Sequence, residues 1–247
     1  MNTTSPLRVA LVTGGSRGIG AAISERLAAD GYAVVVNYAG RQDEAAQVVA
    51  RIRASGGEAH ALQADVSDNT AVEQLFDAIE SRYGGIDVLV NNAGVMHLSA
   101  IAQFDDAEFD RLVNINLKGS FNAMRQAARR VRDGGRIINF STSVIGLRQE
   151  GYGVYAATKA AVEALTGVLS KELRGKSITV NAVAPGPTAT DLFLEGKSPE
   201  LIDRLAKLNP LERLGTPEDI ANVVSFLASP QGSWVNGQTL RANGGMN

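Results

Sequence analysis

The sequence contains no cysteine, and His60 and His97 are the two histidines among its 247 residues. Without cysteine, disulfide bonds, thiolate catalysis and cysteine-based zinc sites are excluded. Two histidines cannot furnish a typical structural zinc site, so we expect no metal. The absence of cysteine also permits a reducing compartment, and we expect the protein to be cytoplasmic.

The sequence has no large excess of positive or negative charge. It contains 24 lysines and arginines and 26 acidic residues, which gives a net charge of -2. A protein that binds nucleic acid or an anionic membrane normally presents a basic patch. No apolar run approaches the roughly 20 residues of a transmembrane helix, and the start "MNTTSPLRVALV" lacks a signal-peptide pattern. We therefore expect a soluble, unprocessed protein with no nucleic-acid or membrane partner.

Short β-branched runs alternate with longer segments of helical periodicity. The predicted strands are "RVALVT", "AVVVN", "EAHALQAD", "IDVLVNN", "GRIINFST", "SITVNAVAP" and "GQTLRANG". Apolar spacings of three and four predict helices over 18–30, 42–55, 69–83, 105–131, 152–174 and 217–228. This alternation predicts an α/β fold: a doubly wound parallel sheet (Rossmann fold) of about seven strands with helices on both faces. The length and the 45% hydrophobic content fit a single domain over 1–247.

A glycine-rich turn, "TGGSRGIG" at 13–20, joins the first predicted strand to the first helix. Glycines there let backbone N–H groups and the helix dipole meet a pyrophosphate without obstruction by side chains. We expect this turn to bind a dinucleotide, through Gly14, Ser16, Arg17, Gly18, Ile19 and Gly20.

The same turn also matches G-x-S-x-G, which would make Ser16 the nucleophile of a hydrolase. That mechanism needs a histidine after an acidic partner in chain order. No histidine follows His97. We therefore rank the hydrolase interpretation well below dinucleotide binding.

The residue that ends the second strand of a dinucleotide fold selects the cofactor, since an acid there binds the ribose of NAD and repels a 2'-phosphate. Here that residue is Asn37, so nothing repels the phosphate. Arg17 and Arg41 could pair with it, because a guanidinium binds phosphate with two parallel hydrogen bonds. For Arg41 a solvated surface charge is an equally good interpretation. We expect a preference for NADPH over NADH.

Six motifs follow one another along the chain: "TGGSRGIG", "NNAG" at 91–94, "NINLKG" at 114–119, "STSVIG" at 141–146, "YAATK" at 155–159 and "VAPGPTATD" at 183–191. In order and spacing they resemble the motifs of the short-chain dehydrogenase/reductase family, and the resemblance extends over essentially the whole chain. It implies an NADP(H)-dependent oxidoreductase.

The resemblance also implies four catalytic residues. Tyr155 would protonate the substrate carbonyl oxygen, Ser143 would hydrogen-bond that oxygen, and Lys159 would lie beside Tyr155. Asn116 would hold a water leading to Lys159. Ser141 remains an alternative to Ser143.

Further cofactor contacts are implied by the resemblance. Asp65 would bind the adenine, with Val66 packed beside it. At Ala93 and Gly94 the main chain would run alongside the cofactor. Tyr155 and Lys159 would contact the nicotinamide ribose. Asn91 would either line the cofactor or stabilise the central strand. Around the nicotinamide and diphosphate we expect Pro185, Gly186, Thr188 and Thr190.

Residues four apart share one helix face, so Tyr155 and Lys159 can act on the same molecule. Lowering a phenol pKa from about 10 by about three pH units requires roughly 4 kcal/mol, which one ammonium at about 4 Å supplies at a dielectric constant of about 20. We expect Lys159 to lower the pKa of Tyr155, with desolvation opposing it.

The resemblance implies that residues 187–213 form a lid over the substrate. Within this segment Leu201, Leu205 and Leu208 fall on one helical face. An apolar lid favours a substrate with a hydrophobic portion. The other residues expected in the pocket wall are Met96, Leu98, Leu147 and Tyr152.

The expected substrate is a small-molecule ketone or aldehyde. A second reading is a 3-oxoacyl-(acyl carrier protein) reductase, with Arg129, Arg130 and Lys171 meeting an acidic carrier protein. A third, non-enzymatic reading is an NADP(H)-binding redox sensor. The small residues Ala156, Ala160, Ala164 and Gly167 would let another helix approach closely. The resemblance implies that this helix pairs in a homo-oligomer, a dimer or tetramer, but a helix buried inside the monomer would need the same residues.

Overall fold

A computed structural model describes residues 7–247 and contains one parallel sheet of seven strands in the order β3-β2-β1-β4-β5-β6-β7. The strands are β1 (Val9–Val12), β2 (Ala33–Tyr38), β3 (Ala59–Gln63), β4 (Ile86–Asn91), β5 (Val131–Phe140), β6 (Thr179–Pro185) and β7 (Thr239–Ala242). Every predicted strand is confirmed, and so is the predicted fold class.

Helices cover both faces of the sheet. They are α1 (Gly18–Ala29), α2 (Gln42–Ala54), α3 (Asn69–Tyr83), α4 (Asp106–Leu112), α5 (Ser120–Arg130), α6 (Val144–Leu147), α7 (Gly153–Glu172), α8 (Asp191–Leu194), α9 (Pro199–Ala206) and α10 (Pro217–Ala228). No helix in the part of the chain that the structure describes is both long and apolar enough to cross a membrane.

The prediction of one continuous helix over 105–131 is wrong, because a π-helical segment, Val113–Gly119, separates α4 from α5. The Ser120 hydroxyl donates to the main-chain oxygen of Asn116 at 2.6 Å, and such a bond competes with the regular helical ladder. A Cβ on Gly119 would also lie 2.6 Å from a methyl carbon of Val66, so the wide turn passes close to the segment after β3.

The sheet separates two apolar layers, and alternate residues of each strand enter them. On β2, Val34 and Val36 pack with α1, α2 and α10, whereas Ala33 and Val35 pack with α3, α5 and α7. All four residues of β1 are fully buried, as a central parallel strand requires.

The strand order reverses between β1 and β4, so the connections that leave these two strands diverge. Ligands of open α/β sheets bind in the crevice that forms there, outside the carboxyl ends of the strands. The glycine turn follows β1, residues 91–94 follow β4, and the long segment after β6 carries α8 and α9. The topology therefore gathers the predicted motifs at one edge of the sheet.

Candidate active site

Two adjoining clefts open at the carboxyl edge of the sheet. The loop cleft lies next to the glycine turn, and the tyrosine cleft lies next to Tyr155. The residues that border both clefts are Ile19, Asn92, Gly94, Val95, Thr190 and Leu192. A long ligand can therefore extend from one cleft into the other.

The glycine turn has a shape that other residues cannot reproduce. Gly14 and Gly18 have φ values of 61° and 51°, in the left-handed region, and a Cβ on Gly20 would lie 2.2 Å from the oxygen of Gly14. Within residues 7–247, no side chain caps the first turn of α1, where Arg17 is the N-cap residue. The free amides of that turn and the helix dipole suit an anion.

Asn37, near the end of β2, borders the loop cleft. Its side chain is 1% exposed. Its Nδ2 donates to the oxygens of Leu62 and Ala64 at 3.3 and 3.0 Å, and its Oδ1 accepts from the amide of Gly14 at 3.4 Å. The amide therefore joins β2 to β3 and to the glycine turn, and a contact between Asn37 and the cofactor stays a prediction.

The arginines at the rim of the loop cleft are better placed for an anion. Arg17 is exposed and borders the cleft together with Arg41. A guanidinium nitrogen of Arg41 lies 2.7 Å from a carboxylate oxygen of Glu44, in a pair that is open to solvent. Exposed pairs of this kind contribute little energy, so Arg41 can exchange this partner for a phosphate.

Asp65, Val66, Ala93 and Gly94 also border the loop cleft. Asp65 is exposed, and its Oδ1 accepts hydrogen bonds from the amide and the hydroxyl of Ser67 at 2.9 and 2.8 Å. These bonds fix the carboxylate at the cleft.

Asn91 lies inside the sheet, so the alternative in which it stabilises the central strand is the one observed. Its Nδ2 donates to the oxygen of Ser120 at 2.9 Å and to Oδ1 of Asn139 at 3.2 Å. The next residue, Asn92, borders both clefts, and its Nδ2 donates to the oxygens of Thr13 and Gly14 at 3.0 Å each. Sequence reasoning missed Asn92, although it belongs to the same "NNAG" motif.

Tyr155 and Lys159 lie on α7 and both border the tyrosine cleft. Lys159 is 4% exposed and its Nζ donates to the main-chain oxygen of Phe140 at 3.0 Å. Burial penalises the ammonium and lowers the pKa of Lys159 to about 8. Burial also raises the pKa of Tyr155 to about 12, while a hydrogen bond from Thr142 acts in the opposite direction.

The expectation that Lys159 lowers the pKa of Tyr155 is therefore wrong for this structure. Desolvation is the largest effect on the pKa of each group, and the ammonium is directed to Phe140. The spacing of four residues does place both side chains on one face, but it cannot fix the direction of a flexible lysine.

Three successive hydroxyls follow β5 and have three different partners. Ser141 donates to a carboxylate oxygen of Glu163 at 2.5 Å. Ser143 donates to the oxygen of Ala184 at 3.1 Å and accepts from Nδ2 of Asn243 at 3.0 Å. The Thr142 hydroxyl accepts from the amide of Val144 at 3.4 Å. The sequence prediction weighed the two serines and did not consider Thr142.

Asn116 lies in the π-helical segment and is fully buried. Its Oδ1 accepts from the amide of Val95 at 2.8 Å, and its Nδ2 donates to the oxygen of Val95 at 2.9 Å. A Cβ on Gly94 would lie 3.2 Å from Oδ1 of Asn116 and 3.3 Å from Nζ of Lys159. Asn116 and Lys159 are therefore neighbours across Gly94, and the water between them remains a prediction.

The segment after β6 forms the outer wall of the tyrosine cleft. Of the predicted residues there, Pro185, Gly186, Thr188, Thr190, Leu205 and Leu208 border this cleft, together with Leu192 and Phe193. Met96, Leu147 and Tyr152 border the cleft as well. Leu98, which is 38% exposed, and Leu201 lie outside the lining.

The three basic residues proposed for a carrier protein lie at the wrong edge. Arg129 and Arg130 end α5 directly before β5 begins, and Lys171 is in the last turn of α7 before β6. They are therefore near the amino ends of the strands, whereas both clefts are at the carboxyl ends. Arg130 is moreover paired with Asp77 at 2.5 Å and with Glu80 at 3.4 Å.

Comparison with known proteins places these features in a family. A family profile described as enoyl-(acyl carrier protein) reductase matches residues 14–247. A "Short-chain type dehydrogenase/reductase" of Picea abies is 47% identical over 96% of this chain and 92% of its own. An "NADPH-dependent aldehyde reductase-like protein, chloroplastic" of Arabidopsis thaliana is 42% identical, over 96% and 93% of the two chains.

Two further proteins are similar over nearly their whole length. A "3-oxoacyl-[acyl-carrier-protein] reductase FabG" of Staphylococcus epidermidis is 42% identical over 96% of this chain and 98% of its own. A short chain dehydrogenase of Burkholderia cenocepacia, solved in complex with NADP, superimposes with a TM-score of 0.92 at 38% identity and covers both chains fully. The chain thus belongs to the short-chain dehydrogenase/reductase family of oxidoreductases.

Proposed function

We propose that the protein reduces a ketone or aldehyde to an alcohol with NADPH, and that Tyr155 is the general acid. The observation that carries this proposal is the position of Tyr155 and Lys159 in a largely apolar cleft that adjoins the glycine turn. A relative named as an NADPH-dependent aldehyde reductase and a structural relative solved with NADP support the choice of reaction and cofactor.

The loop cleft fits the phosphate-containing part of NADPH. Its glycine turn leaves space where a Cβ on Gly20 would collide with the backbone, and the first turn of α1 offers its amides. Arg17 and Arg41 are the residues for a 2'-phosphate, and Asp65 and Val66 are those for the adenine. The border that both clefts share, which includes Gly94 and Thr190, is the place for the nicotinamide.

Bound NADPH supplies the hydride that the carbonyl carbon accepts. Tyr155 supplies the proton to the carbonyl oxygen, and a hydroxyl of residues 141–143 binds that oxygen. Because burial raises the pKa of Tyr155 to about 12, the phenol is protonated at neutral pH. The residue therefore begins the reductive cycle in its acid form.

The lining of the tyrosine cleft defines the class of substrate. Leu192, Phe193, Leu205, Met96 and Leu147 all line the cleft. An apolar lining with few polar groups binds ligands whose carbonyl is attached to a hydrophobic portion. We propose that 187–213 is the substrate lid, with α8 and α9 as its helical parts.

A 3-oxoacyl-(acyl carrier protein) reductase is the second candidate, and the similarity to the staphylococcal reductase favours it. A redox sensor is third, since a sensor does not need Tyr155 and Lys159 together in a cleft. We propose the cytoplasm as the location; two similar proteins, both of Arabidopsis thaliana, are named chloroplastic.

A substrate panel tests the proposed function. The oxidation of NADPH is followed with aldehydes, diketones, quinones and acetoacetyl thioesters, and kcat/KM is compared. We expect the highest value with a free aldehyde or ketone. The highest value with an acetoacetyl thioester would establish the second candidate, and no oxidation above buffer with all four classes would contradict the proposal.

We further propose that the protein is a homo-oligomer that uses the outer face of α7. Ala157, Ala160, Ala164 and Val168 lie along this face and are exposed, with Val168 at 54%. The small side chains are not buried within the monomer, and they admit a second helix closely. Ala164→Arg should therefore yield monomers in analytical ultracentrifugation. An unchanged mass would refute this interface.

A further inference from the structure

Ser143 borders the tyrosine cleft and is held there by side chains of the distant segment 243–247. We propose that Asn243 is a positioning residue for catalysis: it holds the hydroxyl oxygen of Ser143 and leaves the hydrogen for the carbonyl oxygen of the substrate. This inference rests on the reduction proposed above and says how its carbonyl-binding hydroxyl is oriented.

The hydroxyl of Ser143 takes part in two hydrogen bonds of opposite direction. It donates to the main-chain oxygen of Ala184 at 3.1 Å and accepts from Nδ2 of Asn243 at 3.0 Å. The bond from Asn243 fixes the oxygen, whereas the hydrogen can rotate away from Ala184 toward a carbonyl oxygen in the cleft. This exchange costs little, because one neutral acceptor replaces another.

The hydrogen of Ser141, which borders the same cleft, is held more strongly. The hydroxyl of Ser141 donates to a carboxylate oxygen of Glu163 at 2.5 Å. A hydrogen bond to an ionised group is roughly twice as strong as one between neutral groups. Ser143 is therefore the serine whose hydrogen is more easily redirected to a substrate.

The orientation of the Asn243 amide follows from its other partners. Its Oδ1 accepts from the amides of Gly245 and Met246 at 3.0 and 3.3 Å. Its Nδ2 also donates to Oδ1 of Asn247 at 2.8 Å. Reversing the amide would set donors against donors at both amides, so Nδ2 faces Ser143.

Asn247 supports the same arrangement through the backbone. Its Nδ2 donates to the main-chain oxygen of Ser143 at 2.9 Å. Both oxygens of Ser143 therefore accept a hydrogen bond from the segment 243–247. Met246, from the same segment, borders the tyrosine cleft, so the segment forms part of the cleft wall.

Two glycines of the site motifs make room for this segment. A Cβ on Gly186 would lie 2.8 Å from Cα of Asn243, and a Cβ on Gly146 would collide with Nδ2 of Asn247. Neither glycine has a positive φ, so the backbone conformation does not require glycine at either position. Each asparagine occupies the space that a glycine leaves, and both motifs therefore pack directly against the segment.

The chemical step uses this arrangement. The carbonyl carbon accepts the hydride from NADPH, which becomes NADP+, and the π electrons of the C=O bond move to the oxygen. That oxygen takes the proton of Tyr155. Ser143 donates a hydrogen bond to the same oxygen and keeps its own proton. The bond from Asn243 strengthens this donor, because successive hydrogen bonds polarise one another.

Asn243→Asp and Asn243→Ala separate positioning from support of the fold. Aspartate keeps the acceptor for the amides of Gly245 and Met246 but replaces the donor by a carboxylate oxygen, which captures the hydrogen of Ser143. Alanine removes the donor and the acceptor together. We therefore expect the melting temperature to fall more in Asn243→Ala and kcat to fall more in Asn243→Asp. A side chain that only supports the fold would lower both quantities in the same order.

The variants are assayed at saturating NADPH with the aldehyde or ketone that the wild type reduces fastest. Loss of one donor to a developing oxyanion costs about 100-fold in kcat, so Ser143→Ala and Asn243→Asp should each lose about that much. Asn243→Ala should lose about tenfold in kcat and about 2–8 °C in melting temperature. The affinity for NADPH, measured by its fluorescence, should be unchanged.

A double variant tests whether Asn243 acts through Ser143. Once Ser143 is replaced by alanine, Asn243→Asp should lower kcat by less than about threefold more, because residues that act as one unit are not additive. Multiplied losses in the double variant would overturn the inference.

Asn236→Ala is the matched control, since Asn236 anchors the segment that precedes β7, at the opposite end of this strand from Asn243. Its Oδ1 accepts from the amide of Val180 at 2.8 Å. The control should lower the melting temperature and leave kcat unchanged. A loss of kcat equal to that of Asn243→Ala would show that loosening β7 is sufficient, which would overturn the inference.

Two further results would overturn it: a kcat of Asn243→Asp within about threefold of the wild type, or the same for Ser143→Ala. If Asn243→Ala does not fold, Asn243→Asp and the double variant decide by these criteria. Tyr155→Phe is assayed in parallel, and its near-normal activity would instead refute the proposed function itself.

Discussion

Replacement of Lys159 by Met tests how strongly burial disfavours the ammonium. Burial lowers the pKa of Lys159 from 10.5 to about 8. At about 1.4 kcal/mol for each pH unit, the folded protein loses about 3 kcal/mol by holding the charged form. A methionine has nearly the same length and no charge, so it removes this cost.

The variant also loses the hydrogen bond from Nζ to the oxygen of Phe140. An unsatisfied buried carbonyl costs about 1–3 kcal/mol, so at pH 7 Lys159→Met should be as stable as the wild type or up to about 2 kcal/mol more stable. The exact balance depends on how well the thioether packs.

The pH dependence is sharper, because the loss of that hydrogen bond is the same at every pH. Between pH 8 and 10.5 the unfolded chain binds more protons at Lys159 than the folded chain, so the stability of the wild type rises with pH in this window. From pH 7 to about 9.5 the wild type should gain about 2 kcal/mol relative to Lys159→Met.

Urea unfolding of the apoprotein at several pH values measures this difference. Lys171→Met is the matched control, since Lys171 is exposed near the end of the same helix. A difference between wild type and Lys159→Met that stays constant within about 0.5 kcal/mol from pH 7 to 9.5 would refute the buried-ammonium interpretation.

Two further predictions concern the loop cleft. Gly20→Ala places a Cβ 2.2 Å from the oxygen of Gly14. Calorimetry should therefore show a loss of about 3 kcal/mol in stability, and titration should show little NADPH binding. Wild-type values for both would contradict the proposed role of the glycine turn in binding the cofactor. Arg17→Ala and Arg41→Ala should each weaken NADPH about tenfold and leave the affinity for NADH unchanged, and an equal change for both cofactors would show that neither arginine binds the 2'-phosphate.

The architecture was predictable because local signals agreed with the tertiary structure. The predicted helix over 217–228 coincides with α10, where Pro217 occupies the first turn and Thr216 and Asp219 form a capping box. The strands were predictable for a related reason, since parallel strands buried on both faces appear as short apolar runs.

The finer features of the site depend on contacts between distant parts of the chain. The two serines of "STS" are engaged by α7 and by Asn243, which lies 100 residues beyond Ser143. The direction of Lys159 depends on a carbonyl at the end of β5, and the amide of Asn37 joins three segments that are not adjacent in sequence. The spacing of the motifs contains no information on these contacts. It therefore predicted which residues gather at the candidate site, but not the hydrogen-bond partner of each side chain.

The central claim is that Tyr155 delivers the proton in an NADPH-dependent reduction. The most direct test is the rate of NADPH oxidation by Tyr155→Phe, at saturating NADPH and with a carbonyl substrate that the wild type reduces. The account predicts a loss of at least about 100-fold in kcat with unchanged affinity for NADPH, because general acid catalysis contributes about 10²- to 10⁴-fold. A variant that retains near wild-type kcat would contradict it.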